Sequence, residues 1–179
     1  MNHGGVPNPR GAAFSACMGE ESDMMIRFAT EADLPRVNEL RAQVNALHIA
    51  GKPEVFRPGF SPELQEHVYT LFSAPVHAIL VAEGECGIVG FACVKLVDRP
   101  GSPYRLPQKF LDVDEFGVDE AVRRQGTGRA LFEAVREHAR ALGAERIELN
   151  MWEFNQDALK FYEAVGFRTY RRYMEYDVE

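Results

Sequence analysis

The sequence predicts an α/β fold, a mixed sheet with helices packed on both faces. Two observations carry this. Apolar positions switch repeatedly between a two-residue period and a three-to-four-residue period. The strand-like runs are rich in β-branched residues and are separated by turns bearing Gly or Pro. Length and composition agree with a single globular unit: 179 residues, 46% apolar and 26% charged. A chain of this size buries about 70% of its unfolded surface, enough to fold without a metal or disulfide staple.

The elements follow in order. Ile26-Arg27-Phe28-Ala29 reads as a short strand. Thr30 is placed to cap a helix start, with Asp33 three residues on. Leu34, Val37, Leu40, Val44 and Leu47 recur at helical steps, so a helix is expected to run to about Ala50. After a proline-bearing loop, Ser61-Pro62 opens a second helix, continued by Leu64, Val68 and Leu71. Val76 to Glu83 and Ile88 to Val97 flank a tight turn and read as a hairpin. Asp98 to Gln108 is a loop, and Phe110 to Val118 is the next strand. If that strand is regular, Phe110, Asp112, Asp114, Phe116 and Val118 share one side, and Leu111, Val113, Glu115 and Gly117 the other. A bulge would change the side taken by Glu115. Leu131, Val135, His138 and Leu142 stripe a helix that Gly143 stops. Arg146 to Trp152 is a strand, Asn155 to Val165 a helix, and Phe167 to Val178 a last extended segment or two short ones. The order is βααβββαβαβ, with no internal repeat.

Residues 1–24 break this pattern. Gly, Pro, Asn and Ser punctuate them and no apolar period lasts two turns. Phe14-Ser15-Ala16-Cys17 resembles the end of a lipoprotein signal, but no apolar h-region precedes it and Arg10 alone supplies positive charge. Residues 1–24 are expected to be a disordered leader or a misassigned start, with Met24-Met25 directly before the first strand, and 25–179 to be one domain. Twenty Lys and Arg against 27 Asp and Glu give a net charge of −7. That argues against a general nucleic-acid binder and suits a cationic small-molecule partner. No run approaches 18 apolar residues, so no membrane span is expected. Cys17, Cys86 and Cys93 form no CxxC and no paired framework, which predicts a reducing, cytoplasmic setting and no zinc site. The histidines show no ligand spacing, and no metal is expected.

The chemistry concentrates in Arg123-Arg124-Gln125-Gly126-Thr127-Gly128, a turn from strand to helix. The first amides of a helix have no intrahelical partner, and the helix dipole adds positive charge there. Glycines remove the Cβ atoms that would hold an anion off the backbone. Arg123, Arg124 and Arg129 add full charge. The place is built to cradle a pyrophosphate. It is neither a P-loop, which needs GxxxxGK[ST], nor a dinucleotide fingerprint, whose sixth position would be small where Leu131 stands.

The segment from Val118 through Arg123-Arg124-Gln125-Gly126-Thr127-Gly128 resembles the acetyl-CoA-binding motif of the GNAT superfamily of N-acetyltransferases. Asn155-Gln-Asp-Ala158-Leu-Lys-Phe161-Tyr162-Glu163-Ala-Val-Gly166-Phe167 resembles that superfamily's second motif. The resemblance covers all but the leader. It implies a mostly antiparallel, splayed sheet of six to seven strands and acetyl-CoA as co-substrate, with the pyrophosphate on the amides of Arg124 to Arg129. It implies that pantetheine lies against Phe116 and Val118, with Asn155 bonding its arm. Tyr162 matches the tyrosine that protonates the departing thiolate, while Phe161 reads as core. The amine must lose a proton to attack, and the carboxylates Asp114 and Glu115, ahead of Asp112, are the candidates to accept it.

In this family the first two helices and their loop form the acceptor side. His48, Phe56, Asn150 and Trp152 are the candidate acceptor residues, with Tyr69 beside them and the loop from Pro100 to Pro107, bearing Tyr104, as a lid. Asn150 stands where ribosomal-type N-terminal acetyltransferases carry a glutamate, which points away from that substrate class. The expected function is transfer of an acetyl group to a primary amine of a small cationic molecule or a protein lysine. A non-catalytic acyl-CoA sensor is the alternative, against which Tyr162 and the carboxylates speak. An exposed last strand would allow a homodimer.

Overall fold

The structure, a computed structural model, describes residues 24–178. Nearly all of the expected leader, Cys17 included, lies outside them. Strand β1 (Met25–Phe28) is followed by a 3-10 turn at Glu31–Asp33, where the Asp33 carboxylate accepts from the Thr30 amide at 2.7 Å. Helix α1 (Leu34–Gly51) carries Pro35 in its first turn, where the missing N–H has no partner to lose. Helix α2 (Pro62–Ser73) begins at Ser61, whose hydroxyl accepts from the Leu64 amide. Strands β2 (His77–Gly84) and β3 (Gly87–Arg99) form the expected hairpin, followed by β4 (Gln108–Val118). Helix α3 (Thr127–Ala141), strand β5 (Arg146–Leu149) and helix α4 (Gln156–Ala164) complete the order.

The sheet order is β1-β2-β3-β4-β5. The first three pairings are antiparallel, and β4 pairs with β5 in parallel, as a crossover through α3 requires. Apolar stripes explain the layering. Leu34, Val37 and Leu40 of α1 and Val68 of α2 pack on Ile79, Val81, Phe91 and Cys93 on one face. Leu131, Val135 and Ala139 of α3 pack on Leu80, Ala92, Val94, Leu111 and Val113 on the other. Helices on both faces are thus found as expected.

Three expectations change. The sheet among the described residues has five strands rather than six or seven, because Phe167–Val178 forms no ladder. A strand exists only as one of a pair, and this segment finds no partner among the described residues. Strand β5 stops at Leu149 and does not reach Trp152. Cys86 is disulfide-bonded, contrary to the reading of three unpaired thiols, while Cys93 is a free buried thiol.

The decisive irregularity lies in β4. Glu115 pairs with Cys93 and Val113 with Val94, so Asp114 is an extra residue with no opposite number. The bulge moves everything after it to the other side. Leu111, Val113 and Phe116 all face α3, whereas Glu115 faces α1. The regular alternation, which put Glu115 with Leu111 and Val113, is corrected accordingly. Gly117 then points at the α1 side, where a Cβ would lie 2.7 Å from the Phe91 ring and 2.9 Å from Val44. Gly117→Ala is expected to cost about 1–3 kcal/mol through overpacking, read as a lower urea midpoint at unchanged slope. An unchanged midpoint would mean that the layers part more easily than this packing indicates.

Candidate active site

The strand-to-helix turn departs sharply from ordinary backbone. Gly126, the residue that opens α3, has φ of 90°, and a Cβ there would meet nothing within 4 Å. Arg124 also takes a positive φ, 66°, which is rare for a residue with a side chain. Left-handed residues within a short turn are the backbone pattern from which anion-binding nests are made. Arg123, Arg124, Gln125, Gly126 and Arg129 are exposed. Arg123 folds back so that its Nε donates to the Val118 carbonyl at 3.2 Å. Arg124 and Arg129 have no acidic partner among the described residues. Thr127 is buried, its methyl packed near Gly90, which leaves its amide as the group it can offer. Gly128 is small for a second reason: a Cβ there would lie 3.2 Å from the Phe161 ring.

Beside this turn the sheet splays. The β4–β5 ladder ends at Val113 opposite Leu149, while β4 continues to Val118. Residues 114–118 therefore present one edge without a strand alongside. Phe116 stands on this stretch with Phe161 at 5.5 Å and Tyr162 at 6.3 Å between ring centroids. Tyr162 is further held by Phe167 at 5.5 Å. Burial pushes its phenol up to about 12, and its hydroxyl has no hydrogen-bond partner among the described residues. Asn155 caps α4, its side-chain oxygen accepting from the Ala158 amide at 3.2 Å. That oxygen is therefore engaged, and only the amide nitrogen is left for another contact.

On the α1 side of the bulge stand the carboxylates. Glu115 takes a bidentate pair from Arg41, at 2.6 and 2.8 Å. Arg41 is almost fully buried and also donates to Asn38 and to the Leu64 carbonyl. Asp114 keeps about a third of its side chain exposed, 33%, and lies 3.5 Å from His77 Nε2. Burial raises its pKa, with His77 and Lys95 opposing. Asp112 lies in one cross-strand row with His77, Lys95 and Glu148. Burial, then Asp114 and Glu148, raise it as well.

The candidate acceptor residues converge. His48 stacks on Phe56 at 5.2 Å, Phe56 meets Trp152 at 5.4 Å, and Phe154 touches both Trp152 and His48. Burial lowers the His48 pKa against the pull of Glu115. Asn150 lies just past β5, exposed and outside this cluster. Tyr69 packs against the core and Tyr104 is exposed on its loop.

The sequence profile of the acetyltransferase (GNAT) family matches residues 42–167, well over half of the chain. The chain belongs to the GNAT family. Its relatives agree. Mycothiol acetyltransferase of Propionibacterium freudenreichii is 38% identical over 90 residues, half of this chain. The match takes in only 27% of that protein's length. The crystal structure of a tetramutant of the BH1408 protein from Bacillus halodurans superposes with a TM-score of 0.83 at 28% identity, over 86% of this chain and 99% of that one. The aminoglycoside N-acetyltransferase AAC(6')-Iy, solved with CoA, shares the fold at a TM-score of 0.69 and 19% identity, over 90% and 98% of the two chains. The GNAT turn here fits a CoA pyrophosphate: open space over Gly126, left-handed backbone at Arg124 and Gly126, and two arginines without acidic partners among the described residues. Among the described residues no group of His, Cys, Asp or Glu could hold a metal ion, and no helix is long and apolar enough to cross a membrane.

Sequence reasoning missed Arg41, His77 and Phe154. Arg41 had a signal: it stands on the apolar stripe of Val37, Leu40 and Val44, where an arginine needs a buried partner. His77 lies in a predicted strand with nothing to mark it there, and Phe154 lies in a turn outside any periodic pattern.

Proposed function

We propose that this chain transfers an acetyl group from acetyl-CoA directly to a primary amine of a small cationic molecule, through a single domain spanning residues 25–179. The observation that carries the reading is the bulge at Asp114. It turns Glu115 to the α1 side, beside the aromatic cluster, and the next residue, Phe116, to Tyr162.

When bound, acetyl-CoA supplies an activated acetyl thioester. The amides and arginines of 124–129 hold its pyrophosphate, and the free edge of 114–118 hydrogen-bonds the pantetheine arm. Asp114 accepts the proton that the amine must shed, and Tyr162 donates one to the leaving sulfur, so the protons balance. Glu115 is committed to Arg41 and contributes negative charge toward a cationic acceptor rather than a free base. The rings of His48, Phe56, Trp152 and Phe154 suit an ammonium group through cation–π attraction. Cys93, opposite Glu115, is no acetyl carrier: burial and the Glu115 charge keep its thiol protonated. The relatives named for mycothiol and aminoglycoside acetylation support a small-molecule acceptor.

The test is a panel of polyamines, aminoglycosides, amino-acid derivatives and a lysyl peptide with acetyl-CoA, following free thiol and product mass. Transfer to a small polycation is expected. Transfer to the peptide alone would overturn the acceptor assignment, and binding without any transfer would make the domain a sensor. Charge-assisted hydrogen bonds are worth about 1.5–3 kcal/mol, so Arg124→Ala and Arg129→Ala should each weaken CoA about tenfold or more by calorimetry. Equal affinity in both variants would move the pyrophosphate elsewhere.

A further inference from the structure

The turn between β4 and α3 has a free half and a gripped half. Among the described residues, Arg124 and Gln125 make no hydrogen bond. Arg124 nevertheless holds a left-handed backbone that an L side chain disfavours. The residues before them are gripped. Asp119 follows β4 directly, and its amide donates to the Val89 carbonyl at 2.8 Å. Its carboxylate accepts from the Ala121 amide at 3.1 Å and so opens a 3-10 turn at Glu120–Val122. Val122 is buried with Ala82 and Val89.

Helix α1 reaches this gripped half twice. The Arg36 guanidinium donates to the Asp119 carboxylate, to the Ile88 carbonyl at 3.0 Å and to Glu39 at 2.7 Å. Gln43 stands seven residues on, on the same side of the helix, and its side-chain oxygen accepts from the Glu120 amide at 3.1 Å. Asp119 is 6% exposed, and an acid so buried needs a partner. Burial pushes its pKa up, but the Ala121 amide and Arg36 outweigh burial and hold it below the usual carboxylate value. The pair is therefore ionic at neutral pH. Each of the three Arg36 nitrogens is bonded within the protein, so this arginine has a different office from Arg124 and Arg129.

We propose that Arg36, aided by Gln43, is a positioning residue for acetyl-CoA: through Asp119 it holds the base of the turn, so that the left-handed stretch at 124–126 stands ready for the pyrophosphate. This rests on the assignment of residues 124–129 to that group. The gain is preorganisation. A turn with a loose base spends part of its time in other backbone conformations, and the apparent dissociation constant rises as the competent fraction falls. The effect is selective. Strand β4 is held by its own ladder with β3 down to Val118 opposite Gly90, so the edge that serves pantetheine stands without the clamp.

The test is calorimetry on the full chain with two ligands, CoA and pantetheine, which lacks the diphosphate. Arg36→Met and Asp119→Asn are each expected to weaken CoA about tenfold and to leave pantetheine unchanged. The double variant should be no weaker than either single one, because Arg36 acts through Asp119. Arg36→Lys, still a cation but without the fork, should recover part of the loss. Asp119→Asn keeps an oxygen for the Ala121 amide and carries the test should Arg36→Met fold poorly. Equal losses for CoA and pantetheine would make Arg36 a residue of the fold alone and overturn the proposal, as would losses that add in the double variant. Unchanged CoA affinity in both single variants, with Arg124→Ala weakened, overturns the clamp and leaves the pyrophosphate assignment standing. Unchanged affinity in Arg124→Ala as well overturns both.

Discussion

Tyr162→Phe is expected to lower kcat by about 10²–10⁴-fold, the range for loss of a positioned proton donor, with KM for acetyl-CoA within about twofold. The change removes one oxygen and leaves the ring contacts to Phe116, Phe161 and Phe167 in place, so the melting temperature should hold. Burial pushes the phenol up to about 12, and the donor form therefore persists throughout the neutral and mildly alkaline range. Wild-type kcat should accordingly show no decline assignable to this group between about pH 8 and 10, where an unperturbed tyrosine would already titrate. Stopped-time thiol release across that range checks both points. Turnover at the wild-type level in Tyr162→Phe would assign the proton to solvent and leave Tyr162 as packing.

The second large effect concerns stability. Glu115→Gln leaves Arg41 charged and almost fully buried with its counter-ion gone. Removing one member of such a pair costs about 3–5 kcal/mol, at the lower end here because Glu115 keeps a quarter of its side chain exposed. Arg41→Met in the Glu115→Gln background should recover most of the loss, since two neutral groups replace an orphaned charge. Urea midpoints of the two single variants and the double variant decide this. Additive losses would show that Arg41 and Glu115 act independently. The consequence for activity is separate: a crippled Glu115→Gln enzyme cannot be taken as proof of a general base unless its folded fraction is measured. Asp114→Asn, at a site with one distant partner, is the cleaner probe of proton transfer.

How far the sequence led depended on whether a feature is local. The turn at Arg123 to Gly128 was readable because most of its demands are met within six residues: glycine at the left-handed position 126, arginines without acidic partners among the described residues, a helix beginning at Thr127; the positive φ of Arg124 left no mark in the sequence. The helices were readable because a stripe such as Leu34, Val37 and Leu40 repeats its period. The aromatic cluster proposed for the acceptor was half readable. His48 and Phe56 were chosen from the family's placing of the acceptor side and Trp152 for the face it was taken to share with Asn150; these three converge, but Asn150 does not join them, and Phe154 does so through the fold of a loop without periodicity. Asn155 illustrates a signal passed over: an asparagine before a helix is first of all a cap, and it caps α4. The bulge could be named as a condition and not located, because register is a property of two strands. The tail failed as a strand for the same reason, since β-propensity describes a segment and pairing describes a neighbour.

The extra residue in β4 has a consequence for how this chain can change over time. Most positions are judged by which side chain they bear, so substitutions at 114 are graded by charge and size. Deleting Asp114 is a different event. It would restore an unbroken two-residue repeat and exchange the sides of every residue on one flank, sending Glu115 toward α3 or Phe116 toward α1 in a single step. Surface connections tolerate changes of length; this one strand should not. The number of residues between Val113 and Phe116 thus sets which groups face α1, independent of their identity.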